Sequence, residues 1–254
     1  MKASGYDRGM DIRLYLVNGS HPCVTVEKAL QIKGLPYSVV ELPPPAHMAV
    51  MKLRFGKRTV PGIEIDGEKI SGSREILRRL DLIVPDPPLF PADPEARARV
   101  QEAEAWGDDI LQPLVRRLLW PTFRANPELL AAYSEGSKLP PIPAPVLKAS
   151  APLITAIEMK ANGASEVTYR EDLRTIPAIL DHIDGLVADG TIGGEQPNAA
   201  DLQILASLDL LMTMADLRAL IEPRPCGQAT LRLFPDTPVR APGGSIPADL
   251  LAAA

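Results

Sequence analysis

The sequence predicts two different kinds of domain in series, an α/β domain with a small mixed sheet followed by a domain built only of helices. Three observations favour this order. Strand-like and helix-like stretches alternate up to about residue 82, a proline-rich stretch follows, and beyond it the apolar residues recur at helical spacing. We therefore predict an α/β domain at 10–82, a linker at 83–92, a helical domain at 93–234 and an irregular Pro/Gly-rich tail at 235–254.

The composition is that of a globular protein, with 46% hydrophobic and 23% charged residues in a chain of 254. A net charge of −5, with Lys and Arg scattered among Asp and Glu, provides no basic stripe for a phosphate backbone, so we expect no nucleic-acid partner. No apolar run is long enough to span a bilayer, and we expect no membrane partner. The two cysteines lie far apart in sequence and the amino terminus lacks an apolar signal region, which indicates a cytoplasmic protein; we assign no metal site.

The α/β domain opens with a βαβ pattern. Residues 12–17 are rich in strand-forming side chains, a helix is predicted from Pro22 to Lys33-Gly34, and 37–42 reads as a second strand. A proline loop and a short helix around 46–52 follow. The strands at 12–17 and 37–42 are expected to be parallel, because the helix that begins at Pro22 joins them as a crossover.

A hairpin and a third helix complete this domain. Ile63 and Ile65 alternate with a charged residue, and Asp66-Gly67 is a strong two-residue turn signal. The next helix has Gly72 where an N-cap is expected, and Glu75 at the third helical position can bond back to the Gly72 backbone N–H. The predicted order is βαβ-α-ββα.

Val60-Pro61, just before this hairpin, resembles the cis-proline turn of the thioredoxin fold. A Val-Pro pair, a hairpin and a serine that opens a helix form a pattern similar to that of glutathione transferases. The resemblance implies an α/β thioredoxin-like N-terminal domain followed by an all-α domain of the glutathione transferase type. It also implies that Val60 and Pro61 bind the cysteinyl part of glutathione, and that Ser73 binds the γ-glutamyl carboxylate. The family usually has Glu or Gln where this chain has Gly72. Among the thiol-binding residues Val60, Pro61, Gly72 and Ser73, the glycine therefore lacks the polar side chain that would contact the γ-glutamyl group.

The resemblance places the catalytic group where the first strand gives way to the first helix, at Ser20. A hydroxyl at the amino end of a helix can donate a hydrogen bond to a thiolate, in the positive end-field of the helix. Lowering a thiol pKa by about two units requires roughly 2.7 kcal/mol, and a hydrogen bond to a charged group supplies about 1.5–3 kcal/mol. The alternative interpretation is that Ser20 is an N-cap without a ligand.

Cys23 and His21 are further candidates at the same helix start. Cys23 falls at the second cysteine of a C-x-x-C redox motif and could act as a nucleophile, because helix N-termini lower thiol pKa values. Its place one turn into the helix also favours burial. His21 could polarise a thiol or accept a backbone hydrogen bond. Tyr15 is not a candidate for the catalytic tyrosine of tyrosine-type transferases. Leu16 aligns with that tyrosine, and neighbouring residues of a strand point to opposite faces.

The helical domain begins at Asp93-Pro94, a cap followed by a first-turn proline, and opens with a long helix that Pro113 should kink. In the resembling family this helix lines the electrophile site, so Trp106 and Asp109, together with His21, are candidates for that pocket. In the linker before it, Phe90 is expected to be buried.

The rest of the helical domain is predicted from proline clusters and apolar spacing. We expect an extended or polyproline segment at 121–150 and helices at about 146–160 and 166–187. A capping box at Asn198 and Asp201 opens a helix that is apolar nearly all round, as the core of this domain should be. Glutathione transferases show a similar capping motif at this place.

The function that the resemblance implies is a serine- or cysteine-type glutathione S-transferase-like enzyme. It would activate a low-molecular-weight thiol, glutathione, for attack on an apolar electrophile, as a homodimer. Two alternatives are a thiol-disulfide oxidoreductase or dehalogenase-type enzyme that uses Cys23, and a non-catalytic carrier or scaffold with this fold. The glycine at position 72 favours the scaffold.

Overall fold

The structure is a computed structural model and describes residues 10–251. Within that range four strands form one mixed sheet in the order β2-β1-β3-β4. Strands β1 and β2 are parallel, and β3 runs antiparallel to both β1 and β4. The strands are β1 Ile12–Leu16, β2 Ser38–Glu41, β3 Gly62–Ile65 and β4 Glu68–Ser71.

Three helices accompany this sheet: α1 His21–Ile32, α2 His47–Phe55 and α3 Ser73–Ile83. Alternation along β1 decides which helix each residue meets. Leu14 and Leu16 belong to the main core with α1 and α3, whereas Tyr15 points the other way and packs with residues of α2. The βαβ-α-ββα order predicted from the sequence is confirmed.

The hairpin forms at the predicted turn. Asp66 and Gly67 both have positive φ angles, 50° and 86°, as a two-residue turn between twisted strands requires. The Asp66 carboxylate also accepts a hydrogen bond of 2.9 Å from the Asp11 backbone N–H. The turn is thereby fastened to the start of β1.

The segment between α3 and the next helix is held against the first domain by a buried lysine. Lys33 donates hydrogen bonds to the Asp81 carboxylate at 2.7 Å and to the carbonyl oxygens of Val84 and Pro87 at 2.6 Å each. Phe90, near the end of this segment, is buried as predicted.

Helices make up most of the rest of the described chain. Helix α9 is buried along almost its whole length and forms the centre of this domain, as its sequence predicts. The helices are α4 Pro94–Trp106, α5 Gln112–Ala125, α6 Leu129–Ala132, α7 Ala144–Ala161, α8 Glu166–Ala188, α9 Ala199–Met212, α10 Ala215–Ile221, α11 Pro225–Leu233 and α12 Ala248–Leu251. Among residues 10–251, no helix is both long and apolar enough to cross a bilayer.

One prediction for this domain is wrong, and its long first helix has a feature that the sequence did not suggest. The long first helix changes hydrogen-bonding pattern in a π-helical turn at Gly107–Leu111, just before Pro113. Proline lacks the N–H that an α-helix needs there, and a π turn is one way to absorb the lost bond. The extended segment predicted at 121–150 is wrong at both ends, because α5 continues through Pro121 and α7 begins at Ala144. Apolar packing outweighs the low helix propensity of proline at Pro121, whereas Pro145 lies in the first turn of α7, where proline is favoured.

The tail is more ordered than its composition suggests. Asp216 accepts hydrogen bonds from the backbone N–H groups of Gly244 and Ile246, and Ile246 and Leu250 are buried. The short helix α12 therefore stands where we expected irregular chain. Expectations about residues 1–9 and 252–254 lie outside the described residues.

Candidate functional site

The sheet register brings three separate segments to one edge of the first domain. Gly62, the first residue of β3, pairs with Tyr15 near the end of β1 and with Ser71 at the end of β4. Because β3 is antiparallel to both neighbours, the chain leaving β1, the chain entering β3 and the chain leaving β4 all emerge at this edge. The segments that meet there are 17–20, 60–61 and 72–73.

The Val60-Pro61 peptide bond is cis, as the resemblance predicted. Val60 is half-buried, and its backbone N–H and C=O make no hydrogen bond within residues 10–251. The Pro61 carbonyl oxygen, in contrast, accepts a 3.0 Å hydrogen bond from the Gly72 N–H. Val60 therefore presents a free donor and a free acceptor, the pair that an extended peptide needs for strand-like pairing.

Ser73 is the first residue of α3 and is 3% exposed. Neither its hydroxyl nor the backbone N–H groups of the first turn, residues 73–75, bond to any residue in the described part of the chain. The predicted bond from Glu75 back to the Gly72 N–H is absent, because that N–H is already used by Pro61. Free amides at the amino end of an eleven-residue helix favour an anion.

Ser20 is the N-cap residue of α1, but its side chain makes no capping hydrogen bond. The helix start is stabilised by backbone bonds instead: the Ser20 carbonyl oxygen accepts from the N–H groups of Cys23 at 2.9 Å and Val24 at 3.0 Å. Ser20 is half-buried, and its hydroxyl, which is not needed for capping, lies within hydrogen-bonding reach of the Cys23 thiol at the positive end of α1.

Cys23 lies one turn into α1 and is 1% exposed. Burial raises the pKa of its thiol to about 12, and hydrogen bonds with the Ser20 side chain and the Val17 backbone oppose that rise only in part. A thiol with such a pKa carries almost no thiolate near neutral pH. This environment is typical of a packing cysteine rather than of a nucleophile.

His21 lies between the two domains and is buried. Its Nδ1 is 3.0 Å from the Ser207 hydroxyl of α9, and its Nε2 has no partner in the described residues. Burial, and then the positive charge of Arg116, hold the His21 pKa well below its usual value, so the ring is neutral. The histidine therefore forms part of the domain interface, in a place that the sequence did not suggest.

The two other candidates for an electrophile pocket point away from that interface. The Trp106 ring lies 4.3 Å from the ring of His182 on α8, and Asp109 is exposed. Their neighbour Asp108 faces inward instead and accepts a 3.2 Å hydrogen bond from the Gln203 amide. Burial raises the Asp108 pKa, and the charge of Arg74 opposes the rise. Sequence reasoning missed Asp108 because its partner Gln203 lies on α9, nearly a hundred residues later in the chain.

A segment of the helical domain crosses to the first domain beside Ser20. The Asn18 side chain donates hydrogen bonds to the carbonyl oxygens of Tyr133 at 3.2 Å and Glu135 at 3.1 Å. The Glu41 carboxylate, at the end of β2, accepts from the Ser137 hydroxyl at 2.5 Å and the Lys138 N–H at 2.6 Å. The 133–138 segment is therefore fixed near the start of α1, where it narrows access to the edge described above.

The Tyr15 side chain makes its contacts away from the segments 17–20, 60–61 and 72–73. The Tyr15 hydroxyl donates to the Glu64 carboxylate at 3.2 Å on the α2 side of the sheet, opposite to Leu14 and Leu16. Within residues 10–251, no group of three or more His, Cys, Asp or Glu residues could hold a metal ion.

Comparison with known proteins supports the fold independently. Residues 14–88 match the family model described as glutathione S-transferase, N-terminal domain. No curated protein matches the sequence. The chain is similar in structure to the β-etherase LigF from Sphingobium sp. strain SYK-6, with a TM-score of 0.64 and 19% identity over 96% of this chain and 99% of that one.

Two further solved structures share the same architecture. A glutathione transferase from Populus trichocarpa is similar with a TM-score of 0.61 and 13% identity, over 95% of this chain and 98% of that one. A glutathione S-transferase from Methylobacterium radiotolerans, solved in complex with glutathione sulfonate, is similar with a TM-score of 0.61 and 20% identity, over 93% and 97%. Residues 14–88 thus match the amino-terminal domain of the glutathione S-transferase family, and the chain shares its overall fold with these structures.

Proposed function

We propose that this protein is a glutathione S-transferase-like enzyme that activates a low-molecular-weight thiol, glutathione, for attack on an apolar electrophile. In this proposal Val60 and Pro61 bind the cysteinyl part of the thiol, and Gly72 and Ser73 bind its γ-glutamyl end. The Ser20 hydroxyl donates a hydrogen bond to the thiolate. Glutathione is the co-substrate, and the mechanism uses no metal.

The observation that carries the proposal is the set of unpaired polar groups at one edge of the sheet. Within residues 10–251, the Val60 backbone and the first-turn amides of α3 lack hydrogen-bond partners, and the Ser20 hydroxyl makes no capping bond. The sheet register brings their segments to the same edge. An extended peptide thiol with a carboxylate at one end offers a partner to each group. The bound glutathione sulfonate in the Methylobacterium radiotolerans enzyme motivates glutathione as the thiol.

The reaction itself requires that the thiol loses its proton on binding. Ser20 donates to the sulfur anion, and the positive end of α1 adds to that stabilisation. Together they can account for a fall of about two units in the thiol pKa, which is worth roughly 2.7 kcal/mol. The thiolate then forms the bond to the electrophile, and the leaving group departs with the electron pair of the broken bond.

A Cys23-dependent oxidoreductase is the less favoured alternative, because burial and a pKa of about 12 oppose thiolate formation at that cysteine. We further propose that the enzyme is a cytoplasmic homodimer, as the family resemblance implies. Sedimentation velocity of the purified protein tests the dimer.

The test of the proposed function is ultraviolet difference absorbance of the thiolate while glutathione is titrated into the protein near neutral pH. Both protein cysteines have pKa values of about 12, so they contribute almost no background. We expect a saturable thiolate signal in the wild type, its loss in Ser20→Ala and its retention in the matched control Cys23→Ala. A signal that survives in Ser20→Ala but disappears in Cys23→Ala would transfer the catalytic role to the cysteine. The absence of any signal would refute glutathione activation.

A further inference from the structure

A group of polar side chains lies at the interface between the two domains, beginning with the residue that follows Ser20. We call it the interface group, and its members are His21 of α1, Asp108 of the π turn, Gln112 and Arg116 of α5, and Gln203 and Ser207 of α9. Three of them, His21, Gln112 and Gln203, are at most 3% exposed. Polar side chains buried to this degree are costly unless their polar atoms find partners.

Three polar atoms of the interface group have no hydrogen-bond partner in the part of the chain that the structure describes. They are His21 Nε2, Gln112 Nε2 and Gln203 Oε1. The other polar atom of each of these side chains is hydrogen-bonded within the group, at 3.0–3.3 Å, and those bonds fix the orientation of the free ends. Buried polar atoms are rarely left unpaired in a native fold. Three in one group favour a site for a polar part of a ligand.

Arg116 gives this group a positive charge that no carboxylate neutralises directly. The guanidinium is half-buried, and within residues 10–251 it forms no ion pair and a single hydrogen bond, to Gln112 Oε1 at 3.3 Å. Burial lowers the Arg116 pKa and the charge of Asp108 opposes that fall, but the Asp108 carboxylate bonds to the amide of α9 instead. The neighbouring Arg117, in contrast, has a two-bonded ion pair with Asp172 at 2.7 and 2.9 Å. A half-buried guanidinium without such a partner favours an anion.

The charge of Arg116 acts on the start of α1. After burial, it is what lowers the pKa of His21, the residue next to Ser20. Arg116 therefore lies near the helix end that receives the thiol in the proposed function. When the Ser207 hydroxyl donates to His21 Nδ1, the proton of the neutral ring is on Nε2, which can then donate to an anion. Arg116, Gln112 and His21 can thus all present N–H groups at the interface.

We propose that Arg116 is a specificity-determining residue that binds an anionic group of the electrophile, so that the enzyme prefers electrophiles whose apolar body carries a carboxylate. The inference rests on the proposed function, because the interface group lies at the end of α1 where the thiolate would attack. A carboxylate accepts two parallel hydrogen bonds from a guanidinium, and Gln112 and His21 can each add a donor. A neutral electrophile of the same shape leaves the guanidinium without an anion.

Calorimetric binding of three ligands tests this preference: glutathione, its S-(para-carboxybenzyl) conjugate and its S-(para-carbamoylbenzyl) conjugate. The two conjugates share the thiol part and nearly the same shape, and they differ by one negative charge. We expect wild type to bind the carboxybenzyl conjugate at least about tenfold more tightly than the carbamoylbenzyl conjugate. Because the conjugates resemble reaction products, the measurement does not depend on turnover.

Two substitutions at Arg116 separate its charge from its shape. Arg116→Gln should abolish the difference between the conjugates, chiefly by weakening the carboxybenzyl one. Arg116→Lys keeps the charge but not the two parallel bonds, and it should retain a smaller preference. Arg124→Gln, which changes an exposed arginine of the same helix, is the matched control and should keep the full preference. Thermal unfolding verifies that each variant is folded.

The outcomes separate this inference from the proposed function. If wild type binds glutathione but binds the two conjugates equally, or binds neither conjugate, the inference is wrong while the thiol site stands. If Arg116→Gln weakens both conjugates equally, Arg116 only supports the packing of the interface, and the inference is again wrong. An undiminished preference in Arg116→Gln or Arg116→Lys would assign the anion to another group. If wild type binds none of the three ligands, both the inference and the proposed function are overturned.

Discussion

The Gly72 backbone N–H donates a 3.0 Å hydrogen bond to the carbonyl oxygen of Pro61 and thereby ties the start of α3 to the cis-proline turn. These two residues are eleven positions apart: Pro61 immediately precedes β3 and Gly72 immediately follows β4. The bond fixes the spacing between the Val60 backbone and the first-turn amides of the helix. The same bond explains why Glu75 is not engaged in a capping box with the Gly72 N–H.

Gly72→Ala should destabilise the protein. Gly72 has a φ angle of +103°, a conformation that alanine adopts only with strain on the order of 1–3 kcal/mol. The close approach to Glu75 Oε2 adds less, because that side chain can move. Urea unfolding measures the loss. As a control, Gly185→Ala in α8 has open space around its Cβ and should stabilise by about 0.5–1 kcal/mol. Equal stability of Gly72→Ala and wild type would contradict the strained backbone.

Neither cysteine should react in the folded protein. Cys23 and Cys226 are both buried, and burial raises both pKa values to about 12. A thiol of this kind is inert to disulfide exchange. With Ellman's reagent at pH 8 we expect almost no release of the chromophore from native protein, and release from both thiols in guanidinium chloride. Rapid reaction of one native thiol, lost in Cys23→Ala, would reopen the oxidoreductase alternative.

A buried glutamate between the two domains should make stability depend on pH. Glu158 of α7 is 3% exposed, its Oε1 lies 3.9 Å from the His47 Nδ1 of α2, and burial raises its pKa to about 7. In the unfolded chain the Glu158 carboxyl loses its proton at about pH 4.3, the ordinary glutamate pKa. In the folded protein it keeps that proton up to about pH 7. The free energy of unfolding therefore falls as pH rises through this window.

Glu158→Gln removes this contribution. The variant should gain stability relative to wild type as pH rises from 4.5 to 7.5, by an amount on the order of 2–3 kcal/mol. Urea unfolding of both proteins across that range measures the difference. Burial also lowers the pKa of His47, which makes the free energy of unfolding rise with pH below the usual histidine pKa. Both proteins contain His47, so comparing them at the same pH largely cancels its contribution. Exposed Glu128→Gln is the control and should show no such trend. A constant difference for Glu158→Gln would mean that the carboxyl ionises normally.

The capping box of α9 should matter for stability and not for thiol binding. The buried Asp201 carboxylate accepts hydrogen bonds from the N–H groups of Gly193 at 2.6 Å and Asn198 at 2.9 Å. Asp201→Ala leaves both unpaired and should cost about 2–4 kcal/mol in urea unfolding. Asp93→Ala, which removes one exposed cap bond to Ala96, should cost about 1 kcal/mol. Similar losses in the two variants, or a changed thiolate signal per folded molecule, would contradict this role.

The sequence by itself determined the features that depend on a few neighbouring residues. The Asp66-Gly67 turn, the alternation of Ile63 and Ile65, and the capping box at Asn198 were all readable because turn chemistry, strand alternation and caps act over two to four residues. The apolar surface of α9 predicted its central position for the same reason. Together with the Val-Pro pair they were sufficient for the fold class.

Only the tertiary structure decided which polar groups are buried and which remain free. Burial against α9 lowers the pKa of His21, burial in the core raises the pKa of Cys23, and Asp108 accepts a hydrogen bond from Gln203 of α9. The free Glu75 carboxylate follows from a bond between Gly72 and Pro61. Each outcome depends on a contact between elements far apart in the chain. Burial and competition for a hydrogen-bond partner arise only when those elements pack, so local sequence patterns do not encode them.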